Sequence, residues 1–215
     1  LKKSFRKFCL NIPFQGKLFA NGDYQEVLEV VENLPRNISL YGFEDINDLQ
    51  ILEFTQNKNG SHFVLFDKKN NNKMNFKTNM IGKHNILNAA AAIAVALDEG
   101  IPYEGIKRAL EKFIVIERRF QLISENVFEK DIILIDDYGH HPKELLVSIN
   151  TAKEVWPDRE ILVVFQPHRY TRTKALFEDF VSILSDCKNL ILLEIYPASE
   201  EPIKGYESED LIKQI

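Results

Sequence analysis

The stretch DDYGHHP, Asp136 to Pro142, places two carboxylates, a phenol and two imidazoles directly behind the apolar run DIILI. Those groups can bind a metal, act as a catalytic base or clamp a substrate. A neutral imidazole accepts a proton and a protonated one donates. Two later stretches repeat the arrangement of apolar run followed by polar loop. EILVVF leads into QPHRYTR, and NLILLEI leads into YPASEEP. In an open parallel α/β sheet, ligands lie beyond the carboxyl ends of the strands. If the three runs are parallel strands, Tyr138, His140 and His141 have His168, Arg169, Arg172 and Glu200 as neighbours. Arg169 and Arg172 are three apart where a helix begins, so they share a face. Guanidinium groups bind carboxylate or phosphate through paired N–H bonds. An anion site is the expectation, against the plainer reading of three solvated loops.

Two other segments carry functional residue types. In GKHNILNAAAA, His84 and Asn85 open a helix, and Asn85 and Asn88 lie on one face. A side-chain amide offers the donor and acceptor that a base edge needs, and a helix N-terminus favours anions. Taken alone, the segment reads more readily as an Asn cap on an ordinary Ala-rich core helix. In ERRFQ, adjacent arginines precede a strand and point to opposite sides, so one of them can face a crevice.

The elements that must position these groups follow from periodicity and turn residues. The end of a helix is predicted at 4–10, strands at 17–21 and 37–42, and a helix at 24–33. Strands at 49–56, 61–67 and 73–78 turn at Asn59-Gly60 and at Asn70 to Asn72. Helices are predicted at 84–99, closed by Gly100, and at 103–113. From Phe120 the order becomes strand, strand, helix (142–154), strand, helix (173–184), strand, and a helical start at 208–215. That alternation predicts parallel βαβ units. A boundary is expected near 115–118, dividing the chain into 1–116 and 117–215.

Composition narrows the classes. A chain of 215 residues with 45% apolar residues can bury a substantial core or two small ones. The net charge of -5 gives no broad basic field, so nucleic acid is not the expected partner. Cys9 and Cys187 are far apart and form no CxxC, so a reducing cytoplasm is the simplest compartment. No apolar run approaches the ~20 residues of a membrane span, and LKKSFRKFCLNIPF lacks the apolar core of a signal peptide.

GKHNILNAAAAIAVALDEGI, RRFQ, DDYGHHP, FQPHRYTRT and YPASEEPIKG, in this order, resemble the Mur ligases. The resemblance covers nearly the whole chain. DDYGHHP with FQPHRYTRT is its most specific part, and it points to the branch that joins L-alanine to UDP-N-acetylmuramate. It implies the C-terminal part of a central ATPase domain followed by a Rossmann-like domain that brings the amino acid. It implies ATP and Mg2+ as cofactors, UDP-N-acetylmuramate and L-alanine as substrates, and an acyl phosphate intermediate. By resemblance, His84, Asn85 and Asn88 lie at the adenine, while Arg119 and Asp137 contact the nucleotide. Tyr138, His140, His141, His168, Arg169, Arg172 and Glu200 line the amino-acid and muramoyl site. Ser199 stands where the family usually has glycine. The chain contains no GxxxxGK[ST], so the phosphate loop, most magnesium ligands and the UDP-sugar domain are expected upstream of Leu1. An internal fragment without activity of its own is the expectation. The rival readings are a metal-dependent phosphoesterase built on Asp136, Asp137, His140, His141 and His168, and a non-catalytic nucleotide-binding module.

Overall fold

The structure, a computed structural model, describes residues 1–113 and 116–215. Val115, on which part of the expected boundary falls, lies outside the described residues. The chain divides into two compact units, Leu1–Val115 and Ile116–Ile215.

The first unit holds α1 (Lys2–Leu10), β1 (Lys17–Asn21), α2 (Gln25–Val31), β2 (Asn37–Gly42), β3 (Leu49–Asn57), β4 (Gly60–Asp67), β5 (Asn72–Thr78), α3 (Lys83–Asp98) and α4 (Tyr103–Glu111). Its strands lie side by side in chain order. β1, β2 and β3 are parallel, and β4 and β5 continue the sheet antiparallel. The turn into β4 needs glycine. Gly60 has φ +125°, and a Cβ there would fall 2.1 Å from the Thr78 carbonyl oxygen.

α3 is the central helix of this unit. Ile86, Ala89, Ala90, Ile93 and Ala94 are buried, which is the stripe that a 3.6-residue period requires. The alanines carry no long side chain, so the helix lies close against β1, β2 and β3. Phe63, Leu65, Met74 and Phe76 fill the space below it. Phe63 and Phe76 stack at 5.4 Å between centroids. The helix begins after Gly82, at φ +98°, and no side chain caps it. The expected Asn cap is therefore not formed; Asn85 sits a turn further in.

The second unit holds β6 (Gln121–Ser124), β7 (Leu134–Asp136), α5 (Pro142–Val155), β8 (Leu162–Phe165), α6 (Tyr170–Ala175), α7 (Phe177–Ser185), β9 (Asn189–Leu192) and α8 (Ser208–Ile212). β8 and β9 are parallel and in register from Leu162↔Asn189 to Phe165↔Leu192. One core gathers Leu145, Ile149, Phe165, Phe177, Phe180, Leu184 and Leu211 from α5, β8, α7 and α8.

Two details differ from the sequence reading. Among the described residues of this unit, the parallel ladder joins β8 and β9, whereas β7 is three residues long and pairs antiparallel with β6. The residues before β7 are drawn into a tight turn, in which Ile132 N–H donates to the Lys130 carbonyl at 2.7 Å. The single helix expected at 173–184 is two helices that start at Tyr170 and break at Leu176. Thr173 Oγ1 donates to the Arg169 carbonyl at 3.0 Å, the kind of back-bonding that bends a helix.

Phe180 is 1% exposed at the centre of the second core. Phe180→Ala should destabilise this unit by about 3–5 kcal/mol, read by urea denaturation.

Candidate functional site

The DDYGHHP loop is organised by two carboxylates. Asp137 Oδ2 accepts the Phe120 N–H at 2.9 Å and Oδ1 accepts the Gly139 N–H at 2.6 Å. Glu144 Oε2 accepts the N–H groups of both His140 and His141, at 3.0 and 3.1 Å. Burial alone would raise the Glu144 carboxyl; these N–H bonds, with the charges of His140 and Arg119, leave it below the usual range. His141 is the N-cap of α5 and its Nδ1 accepts from Lys143 N–H at 3.2 Å, completing a capping box with Glu144. Sequence reasoning missed Glu144 because histidine, rather than Ser or Thr, fills the cap.

The rings of the site are held in defined tautomers by their partners. His140 Nδ1 is 3.1 Å from the Tyr138 carbonyl oxygen, which only accepts, so Nδ1 carries the proton and Nε2 the free lone pair of the neutral ring. His141 is the reverse: its Nδ1 accepts, so Nε2 is the N–H. His168 Nδ1 faces Arg172 Nη1 at 3.4 Å. Arginine only donates, so His168 also presents N–H at Nε2. Burial, then the charges of Arg172, His140 and Arg169, push the His168 pKa below its ordinary value, which favours the neutral ring.

These rings form one row. Tyr138 meets His140 edge-on at 5.3 Å, His140 lies 6.2 Å from His168, and His168 stacks on Tyr196 at 5.2 Å. Tyr138 is about half exposed, and the Arg118 guanidinium lies over its ring at 4.8 Å. Arg118 Nε also reaches Asp136 at 3.2 Å. Both adjacent arginines are exposed; Arg118 lies over the loop, and the charge of Arg119 acts on Glu144. Tyr196 and Arg118 were missed because an aromatic beside a proline and a charge beside its twin carry no local signal.

The loops after β8 and β9 are zipped together. Tyr196 N–H donates to the Pro167 carbonyl and Arg169 N–H to the Tyr196 carbonyl, both at 2.8 Å. Glu200 then closes back on the start of α6. Its Oε1 accepts Arg169 Nε and Thr171 Oγ1, each at 2.7 Å, and Oε2 accepts Thr171 N–H at 2.9 Å. The Thr171 backbone and hydroxyl bonds, with Arg169, bring the Glu200 pKa down to about 2. Arg172 Nη1 donates to the His168 carbonyl at 3.2 Å.

In the first unit, Asn85 is buried and its Nδ2 donates to the Ile81 carbonyl at 2.8 Å. Asn88 is exposed one turn along. A Cβ on Gly82 would lie 2.6 Å from His84 Cε1, so the imidazole folds over the glycine.

The arrangement in the second unit suits recognition of a small polar ligand: one ring nitrogen that accepts, two that donate, and a guanidinium beside them. Among the described residues, no three His, Cys, Asp or Glu side chains gather in a group that could hold a metal ion. Asp137 and His141, two of the ligands in the metal reading, accept backbone N–H groups at Oδ1, Oδ2 and Nδ1.

Two outcomes follow. Ala198 and Ser199 occupy φ +49° and +68°, a left-handed pair closed by Glu200 N–H to the Pro197 carbonyl at 3.0 Å. The backbone at Ser199 thus follows the path glycine takes without strain. Ser199→Gly should stabilise by about 1 kcal/mol, measured by thermal denaturation. Because the Glu200 carboxyl is lowered from 4.5 to about 2 on folding, its contribution is full above pH 4.5 and lost as pH falls through about 2. The Thr171 amide shift should therefore titrate near pH 2, followed by NMR.

Known proteins give this geometry a family. Residues 1–96 match the Mur ligase middle domain and residues 118–215 match the domain described as Mur ligase, glutamate ligase domain. A UDP-N-acetylmuramate–L-alanine ligase of Psychrobacter arcticus is 38% identical over 216 aligned residues, covering 100% of this chain and 45% of that protein. The chain thus spans less than half the length of this curated relative. The solved UDP-N-acetylmuramate–alanine ligase of Thermotoga maritima superposes with a TM-score of 0.58 at 25% identity, covering 82% of this chain and 50% of that one. MurF of Acinetobacter baumannii gives a TM-score of 0.67 at 18% identity, covering 88% and 41%, a likeness of fold alone. With its α/β units, its parallel strands and both domain matches in this order, the chain belongs to the Mur ligase family.

Proposed function

We propose that the protein, at the full length of its relatives, joins L-alanine to UDP-N-acetylmuramate in peptidoglycan precursor synthesis. The observation that carries this reading is the 38% identity to a ligase of that activity along the entire chain. In the reaction, a muramoyl carboxylate oxygen attacks the γ-phosphorus of ATP and ADP leaves. The neutral amine of L-alanine then attacks the acyl carbon, and phosphate leaves with the bonding electrons of the acyl–oxygen bond.

The residues described here take part mainly by binding. The chemistry of the rings fits the amino-acid end. His140 Nε2 accepts a hydrogen bond or proton from the amine, while His141 and His168 donate from Nε2 and Tyr138 walls the site. Arg172 is the guanidinium we assign to the alanine carboxylate, because Arg169 is already held by Glu200. For ATP, the exposed Asn88 amide and the Asn85 amide oxygen are suited to the base. Asp137, assigned to the nucleotide by resemblance, also braces the loop by accepting a backbone N–H at each oxygen. For Mg2+, the described residues supply no cluster of ligands, and no step is assigned through it. Among the described residues, no helix is long and apolar enough to cross a membrane. The proposed nucleotide-sugar substrate supports a cytoplasmic location.

The test is ATP-dependent phosphate release with UDP-N-acetylmuramate and L-alanine. The protein extended to the length of its relatives should release phosphate only when both substrates are present. The 215-residue chain alone, which has no GxxxxGK[ST], should be silent. Turnover by the short chain would overturn the fragment reading. Phosphoester hydrolysis without an amino acid would overturn the ligase reading in favour of a metal hydrolase.

A further inference from the structure

Glu200 reads from sequence as a substrate-facing carboxylate, and in the structure both its oxygens meet Arg169 and Thr171. Oε1 takes Arg169 Nε and Nη2, each at 2.7 Å, and Thr171 Oγ1 at 2.7 Å. Oε2 takes the Thr171 N–H at 2.9 Å. The Glu200 side chain is only 15% exposed, so it offers a ligand little.

The backbone on both sides of this contact is strained. Arg169 has φ +74°, and Ala198 and Ser199 have +49° and +68°, none of them glycine. Such conformations persist where the surroundings over-determine them, and they concentrate at functional sites. Arg169 is also the N-cap residue of α6, and its carbonyl accepts from both Thr173 N–H and Thr173 Oγ1 at 3.0 Å. Thr173 is fully buried. The bond from Glu200 to Arg169 and Thr171 therefore fixes the first turn of α6. Arg172 projects from that turn, and its Nη1 holds the His168 carbonyl.

We propose that Glu200 and Arg169 form a positioning clamp. It locks the first turn of α6 to the turn after β9, and so sets Arg172 and His168 for the amino acid without touching it. This rests on the ligase reading above and deepens it. Arg169 is still about half exposed, and solvent screens the stabilising part of such a pair, so the clamp acts through geometry. Its loss should register in amino-acid binding before it registers in melting.

The experiment is a double-mutant cycle in the protein extended to the length of its relatives. Arg169→Gln, Glu200→Ala and the double variant are compared for kcat, for KM towards L-alanine and ATP, and for melting temperature. Each single variant should raise the alanine KM about tenfold with the ATP KM within about twofold, and the double should be no worse than the worse single. Thr171→Val, which removes only the Oγ1 bond, should raise the same KM by a smaller factor, and it carries the test if Glu200→Ala fails to fold. Additive losses, or Arg169→Gln far more damaging than Glu200→Ala, would put Arg169 on the substrate and overturn the clamp. So would unchanged alanine KM, or a parallel rise in both KM values with a lower melting temperature. Absence of alanine-dependent phosphate release in the unmutated protein would overturn the ligase reading, and the clamp with it; a functioning ligase with an additive cycle would overturn the clamp alone.

Discussion

Where a strand ends, its backbone N–H groups lose their ladder partners and still need acceptors. In the second unit, that need is met by carboxylates. Asp137 takes the N–H groups of Phe120 and Gly139, Glu144 those of His140 and His141, and Glu200 that of Thr171. A carboxylate is an acceptor only, with room for several donors, so each can pin two points of a loop at once. The positions of the histidines and arginines depend on these pins. Without them, the polar loops would be solvated and their rings would sample many rotamers.

The pinned backbone in turn decides what each ring presents. His140 and His141 are adjacent and chemically identical, yet their partners make one an acceptor and the other a donor at Nε2. The difference comes from a carbonyl facing one Nδ1 and an N–H facing the other. His168 is fixed by Arg172 in the same way. A row of Tyr138, His140, His168 and Tyr196 follows from these constraints together with the ring contacts. In the first unit the division of labour is different. The α3 stripe of isoleucines and alanines sets the core, and Asn85 is drawn inward to the Ile81 carbonyl while Asn88 stays at the surface.

Much of this was legible locally. The five strands and two long helices of the first unit follow from alternation, from Asn-Gly at the β3–β4 turn and from the alanine-rich period of α3. The βαβ run from β8 to β9 follows from apolar runs separated by a helical pattern. The break at Leu176, where φ is -123° and ψ 25°, was not legible, because no glycine or proline marks it in the sequence. Nor was the antiparallel partner of β7, which depends on how the turn at 127–132 folds.

The sequence by itself determined the element order, the family and the residue types gathered at the strand ends, since periodicity, turn residues and motif spacing are properties of neighbouring positions. Only the tertiary structure decided which of those residues are free for a ligand. Glu200 and Arg169 are 31 positions apart and Asp137 and Phe120 are 17 apart. Whether a carboxylate meets a substrate or a backbone N–H is settled by which distant segment folding brings within 3 Å of it, and no local pattern encodes that distance.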